Sequence, residues 1–195
     1  LAQLTAAFSK MESPLILRLT LNESPASAEL RRYMEALCGL TDKLSMKIAS
    51  PDEAAADPPC VEILRADGSP SGLAFHGVPG GHEFTSFVLG LYNVAGPGQA
   101  LDPEIRETVR SIRRPVRMKI LVSLSCTMCP ELVVAAQKIA AENDLVSAEV
   151  YDLNHYPALR EKHAVMSVPC LVVDDGRTTF GKKNIRQLLD FLLSR

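Results

Sequence analysis

Apolar and polar positions along the chain follow two periods, and the order of those periods repeats. Spacing near 3.6 marks helices and alternation marks strands. The pattern predicts a short helix over 1–10, a strand over 14–21 rich in Leu and Ile, and a helix over 24–40. Leu30, Met34, Leu37 and Cys38 form the apolar stripe of that second helix. A short strand follows over 44–48, then a loop over 49–59 punctuated by Pro51, Pro58 and Pro59, then a strand over 60–65. Asp67-Gly68-Ser69-Pro70 makes a turn into a partner strand over 72–75, and a helix over 80–94 ends at Gly96-Pro97-Gly98. A connecting helix is expected over 101–112, with Asp102 and Pro103 as its cap and first residue. Arg113-Arg114-Pro115 marks a boundary.

The second half runs through the same order. Strands are expected over 116–124, 146–152, 170–173 and 178–180, and helices over 126–143, 157–163 and 183–193. Pro130 falls in the first turn of the helix over 126–143, where it is tolerated. Each half reads β-α-β, then a hairpin, then α. Pro59-Cys60-Val61-Glu62-Ile63 matches Pro169-Cys170-Leu171-Val172-Val173, and a shift of 102 lays Ser24 and Ser27 on Cys126 and Cys129. The expected architecture is an α/β chain of two fused copies of one unit: a first copy over 1–100, a connecting segment over 101–115 and a second copy over 116–195. Thiols stand at the strand–helix junction of the second copy alone.

Composition narrows the function. With 47% hydrophobic and 23% charged residues, the chain is neither disordered, collagenous nor a coiled coil. A net charge of −2 leaves no general footprint for nucleic acid. The charge is uneven: 7 Lys/Arg against 11 Asp/Glu over 1–100, and 14 against 12 over 101–195. The basic stretch of Arg106, Arg110, Arg113, Arg114, Arg117 and Lys119 reads as a solvated helix and linker, or as a docking surface for an acidic partner. No apolar run reaches the ~18 residues of a membrane span. No basic segment precedes an apolar one at the N-terminus, so no signal peptide and a cytoplasmic location are expected. The missing initiator Met points to a trimmed segment. Five Cys is an odd count and a poor disulfide framework, so Cys126-Thr127-Met128-Cys129 reads as redox or metal chemistry.

At the start of a helix, free N–H groups and the helix dipole favour an anion. Cys126 as N-cap is therefore expected to be a ready thiolate, with Cys129, one turn along, resolving the mixed disulfide by attacking it. Zinc sites use such tetrapeptides in pairs, and here only His155 and His163 could complete one. A copper-carrier reading rests on Met128 between the thiols, and a non-catalytic metal-binding adaptor also stays open. So does a stand-alone disulfide oxidoreductase or isomerase. Val168-Pro169 opens a strand, where Pro belongs because it cannot donate into a sheet. A cis bond there would present a free backbone edge beside the dithiol, to which a substrate chain could add as a strand. The plain alternative is a strand-start Pro. Cys38, Cys60 and Cys170 read as core thiols, and Ser24 and Ser27 as helix caps.

These residues carry a resemblance. The second half resembles the thioredoxin/glutaredoxin superfamily. The whole chain is similar to the N-terminal domain of the flavoprotein component of bacterial alkyl hydroperoxide reductase. That similarity rests on Gly81-His82-Glu83-Phe84-Thr85-Ser86 with Val88-Leu89, on Ser123-Leu124-Ser125-Cys126 with Cys129-Pro130, and on Val168-Pro169. The resemblance implies two fused thioredoxin-like folds with one active CxxC. It implies electron flow from NADH through FAD and a second dithiol, in a thioredoxin-reductase-like flavoprotein module, to Cys126/Cys129 and on to the disulfide of a peroxiredoxin. This chain has no GxGxxG fingerprint, so FAD and NADH are expected on a linked or separate module, and no cofactor here beyond the redox-active Cys126–Cys129 pair. By resemblance Glu83 reaches across from the first fold as a general base for the resolving thiol, its own pKa raised by burial. Otherwise Glu83 only complements the helix dipole, and His82 is a weaker candidate for a role. Thr127-Met128 replaces the His-Asn familiar in enterobacterial members and, with Val168 and Pro169, is expected to meet the substrate.

Overall fold

The computed structural model describes residues 2–55 and 57–194. Leu1, Ala56 and Arg195, at the start of the expected first helix, inside the 49–59 loop and at the end of the second copy, lie outside the described residues. The first copy contains α1 (Ala2–Ser9), β1 (Leu15–Thr20), α2 (Pro25–Cys38), β2 (Leu44–Ile48), β3 (Cys60–Arg65), β4 (Pro70–His76) and α3 (Glu83–Ala95). The connecting helix is α4 (Pro103–Arg110). The second copy contains β5 (Val116–Val122), α5 (Cys129–Glu142), β6 (Val146–Asp152), α6 (Pro157–Lys162), β7 (Cys170–Val173), β8 (Arg177–Phe180) and α7 (Ile185–Leu193). Local chemistry sets several of these bounds. Ser24 caps α2 ahead of Pro25, Asp102 caps α4 ahead of Pro103, and Asn184 with Gln187 forms a capping box on α7.

The strands form one sheet in the order β2-β1-β3-β4-β6-β5-β7-β8. β1 pairs parallel with β2 and antiparallel with β3, which turns back on β4. β5 repeats this with β6, β7 and β8. The copies join where β4 and β6 pair in parallel, from Leu73↔Ala148 to His76↔Tyr151. Leu15, Leu17 and Leu19 of β1 and Met118, Ile120 and Val122 of β5 point into a core shared by both copies.

Topology then fixes the helix directions. α3 follows β4 and α5 follows β5, and β4, β6 and β5 all run in parallel. Each helix turns back against its strand, so α3 and α5, which pack together, run side by side in the same direction. Their N-termini emerge at the same end of the sheet. Gly90 lets them close up: a Cβ there would stand 2.9 Å from Gln137 Oε1.

A buried polar network ties the junction. His76 Nδ1 donates to Asp57 O at 2.8 Å, and its Nε2 lies 3.0 Å from Glu149 Oε2. Both ring nitrogens thus face acceptors. The ring stacks on Tyr151 at 3.9 Å, and the Tyr151 hydroxyl donates to the same Glu149 oxygen at 3.0 Å. Tyr156 Oη lies 3.1 Å from Asp57 O and 2.9 Å from Pro59 O.

Candidate dithiol site

β5 ends at Val122, two residues short of its expected end, and the chain turns before α5. The Cys126 N–H donates to Ser123 O at 2.9 Å, so the helical ladder cannot start at Cys126. The N-cap is Met128, and Cys129 is the first helical residue. This corrects the expected cap position of Cys126, yet the sulfur still serves the helix end: Cys129 N–H donates to Cys126 Sγ at 3.1 Å. The first copy holds the same bond with oxygen in place of sulfur, Ser27 N–H to Ser24 Oγ at 3.2 Å. Ser24 is the N-cap of α2, as expected.

Cys126 and Cys129 form a disulfide, with Cα atoms 5.6 Å apart. Cys126 is half-buried and Cys129 fully buried, while Thr127 and Met128 between them are exposed. One sulfur is thus open to an incoming partner and the other shielded, the asymmetry that attack and resolution require.

The bond between Val168 and Pro169 is cis, and so is Pro58–Pro59 at the matching place in the first copy. Val168 O stands 3.9 Å from Cys126 Sγ. Pro169 O accepts from Gly181 N–H at 2.9 Å, and Pro59 O accepts from Gly77 N–H at 2.8 Å. The loop ahead of Val168 carries Met166, which is 82% exposed.

The first copy reaches this turn through Gly81. Its φ is +54°, and a Cβ there would stand 2.5 Å from Leu124 O. The next residue, His82, donates its N–H to Leu124 O at 3.0 Å, two residues before Cys126. The His82 side chain is exposed and makes no capping bond. Glu83 opens α3 and is completely buried. Because α3 and α5 start at the same end, Glu83 lies at the dithiol end of the helix pair. Burial pushes its carboxyl up to about 7, against the opposing effect of a hydrogen bond from Ser86. The Ser86 hydroxyl donates to Oε2, while Oε1 is buried without a partner among the described residues.

The other thiols are unpaired: Cys38 half-buried, Cys60 and Cys170 buried. Burial pushes all three up, Cys170 to about 11, which holds them as poorly nucleophilic thiols. Among the described residues no group of three or more His, Cys, Asp or Glu side chains is placed to hold a metal ion. Neither parallel strand–helix turn, 21–24 or 123–128, contains a glycine, so neither offers the close backbone approach a dinucleotide phosphate needs. The residues alone assign nothing to Ser86 or to the Gly81–Leu124 contact. The serine's three-residue spacing from Glu83 is the one signal they offer.

Fold and dithiol together define a tandem thioredoxin-like thiol–disulfide oxidoreductase module. A thioredoxin-domain family model matches residues 116–190. The alkyl hydroperoxide reductase AhpF of Pseudomonas aeruginosa is 32% identical over 96% of this chain, which spans 35% of that relative's length. The crystal structure of the NTD_N/C domain of alkylhydroperoxide reductase AhpF from Enterococcus faecalis superposes with a TM-score of 0.93 at 30% identity, covering 98% of this chain and 96% of that one. A protein disulfide oxidoreductase from Aeropyrum pernix shares the fold, with a TM-score of 0.85 at 20% identity over 97% of this chain and 89% of that one. The chain belongs to the family of the tandem thioredoxin-like N-terminal domain of alkyl hydroperoxide reductase AhpF.

Proposed function

We propose that this chain is the relay dithiol of a peroxide-reducing system. It takes two electrons from an NADH- and FAD-dependent, thioredoxin-reductase-like module, on the same polypeptide or a separate one, and passes them to the disulfide of a peroxiredoxin. The observation that carries the reading is the half-buried Cys126 joined to the fully buried Cys129, in a chain several of whose curated relatives are named for alkyl hydroperoxide reduction, others being named NADH dehydrogenase. FAD would supply hydride-derived electrons on its own module, since neither strand–helix turn of this chain, 21–24 or 123–128, has the glycine that a dinucleotide phosphate needs. In this reading the chain divides into a first copy over 1–100, a connecting segment over 101–115 and a second copy over 116–195. A relay fed by NADH belongs in the cytoplasm, where thiols are kept reduced.

In the forward step the Cys126 thiolate attacks one sulfur of the partner disulfide, and the other partner sulfur leaves as a thiolate and takes a proton from water. Cys129 then loses its proton to Glu83 and attacks Cys126 Sγ. The Cys126–partner bond breaks, the second partner sulfur departs as a thiolate and takes a proton from water, and the Cys126–Cys129 disulfide is left. Thr127, Met128 and Val168 meet the partner segment, and Pro169 shapes the edge it lies on. Reduction of the module runs the same steps backwards, with Glu83 returning the proton to Cys129.

A coupled assay tests this. With NADH, a thioredoxin-reductase-like flavoprotein, a peroxiredoxin and cumene hydroperoxide, NADH oxidation should depend on this chain, and Cys126→Ser should abolish it. Equal rates with wild-type chain and variant would refute the relay.

A further inference from the structure

Glu83 is held by one oxygen only. The Ser86 hydroxyl, one turn along α3, donates to Oε2 and also lies 3.3 Å from the Glu83 carbonyl. Both side chains are sealed from solvent, Glu83 at 0% and Ser86 at 1% exposure. Oε1 has no partner among the described residues, which is unfavourable for a buried acceptor unless a donor comes to it. Cys129 opens α5 at this same end of the sheet, and its sulfur carries a proton only when the dithiol is reduced. In the oxidised protein its sulfur is bonded to Cys126 and has no proton to offer.

We infer that Ser86 is a positioning residue for the proton transfer: it fixes Glu83 by Oε2, so that Oε1 is the oxygen that exchanges a proton with Cys129. This rests on the proposed role of Glu83 as the base for Cys129. The division of labour follows from what a hydroxyl can do. With Glu83 ionised, Ser86 donates to Oε2 and Oε1 is free to take the proton. With the proton on Oε1, Oε2 is the carbonyl oxygen and still accepts from Ser86. The same bond serves both states, and the carboxyl need not turn over between them. The bond is stronger to the ionised form, which opposes the burial that would otherwise hold Glu83 neutral.

Atoms and electrons balance. The proton leaves Cys129 Sγ for Oε1, the new bond joins Cys129 Sγ to Cys126 Sγ, and the bond from Cys126 to the partner sulfur breaks. The two electrons end on the partner sulfurs, each of which leaves as a thiolate and takes a proton from water. The titratable groups at this end are few: the exposed His82 next to Glu83, and Tyr33 of α2, whose hydroxyl donates to Pro79 O at 2.8 Å. From the dithiol turn comes Cys126, and from α5 come Cys129 and the exposed Glu131, which lies 3.5 Å from Lys182.

Stopped-flow reaction of the reduced chain with 5,5′-dithiobis(2-nitrobenzoate) separates the steps. The first thionitrobenzoate released reports attack by Cys126, and the second reports attack by Cys129 on the mixed disulfide. In the wild type the second phase should rise through an inflection near neutral pH. Ser86→Ala should move that inflection up by about one pH unit and slow the second phase about tenfold at neutral pH, with the first phase unchanged. Ser86→Thr keeps the hydroxyl and should keep the wild-type profile. A Ser86→Ala profile superimposable on the wild type, or one slowed equally in both phases at every pH, overturns the inference. If the alanine variant does not fold, Ser86→Gly carries the same two readings. Glu83→Gln separates the levels. If it leaves the inflection in place, the base reading itself fails. If it removes the inflection while Ser86→Ala does not move it, only the role given to Ser86 fails.

Discussion

His76 on β4 and Glu149 on β6 meet at 3.0 Å across the parallel strand pair that joins the two copies. The hydrogen bond from His76 holds the Glu149 carboxyl below its ordinary range. A carboxylate lowered in this way stabilises the fold above its unfolded pKa of ~4.3, and that stabilisation is lost as pH falls through the folded value. Glu149→Gln should therefore lower the stability by about 1–2 kcal/mol near neutral pH, a modest value because Glu149 is only half-buried. Urea unfolding from pH 8 down to 3 checks it. The gap between wild type and variant should be widest above pH ~5 and close towards pH ~3. A gap unchanged at the acid end would show that the hydrogen bond from His76 is not its source.

Glu83 has the opposite sign. Its carboxyl sits at about 7, above the unfolded value of ~4.3. Between those values the folded chain binds more protons than the unfolded one, so stability falls as pH rises through the window and levels off above it. In the oxidised protein Glu83→Gln should remove that slope. At pH 8 the variant should gain on the order of 3 kcal/mol relative to wild type, compared with their difference at pH 4. Parallel stability curves for the two proteins across this range would mean that Glu83 titrates as an ordinary carboxyl.

The contact of Gly81 with Leu124 is the clamp between the first copy and the dithiol turn. Gly81→Ala adds a left-handed strain and a Cβ 2.5 Å from a backbone oxygen that cannot give way. The cost should be roughly 1–3 kcal/mol in unfolding experiments, with slower resolution by Cys129 as the 81–83 segment is pushed aside. Gly68, at φ +84° with nothing within 4 Å of a Cβ, is the control. Gly68→Ala carries the backbone strain without the clash and should leave the resolution rate alone. Equal effects on that rate from both variants would show that the contact is no clamp.

Much of this is legible in the residues because the signals are local. The strands over 44–48, 60–65, 146–152 and 170–173 stand where alternation and flanking Pro, Gly and Asp put them. The repeat also shows in the backbone: both prolines ahead of β3 and β7 are cis, and Ser24 caps its helix by accepting from Ser27 N–H as Cys126 Sγ accepts from Cys129 N–H in the second copy, whereas Ser27, expected as a second cap, lies inside α2 and bonds Asn22 instead. The pattern places the start of α5 three residues early, because a turn from Ser123 to Cys126 and a helical N-terminus have similar local composition. The junction is not legible at all. Parallel pairing of β4 with β6 leaves no periodic trace, and His76 finds its partner 73 residues away. Ser86 is hidden for another reason: a serine one turn into a helix reads as ordinary until the carboxyl above it proves to be buried.

The relay is tested most directly by a single-turnover thiol count. The fully reduced chain is mixed with an oxidised peroxiredoxin, quenched in acid, alkylated and read by mass spectrometry. Two thiols, those of Cys126 and Cys129, should vanish from the chain as two appear on the peroxiredoxin. Cys38, Cys60 and Cys170 should stay alkylatable, and Cys129→Ser should stop at a covalent Cys126–peroxiredoxin adduct. An unchanged thiol count on both proteins, or oxidation falling on Cys38, Cys60 and Cys170 instead, would contradict it.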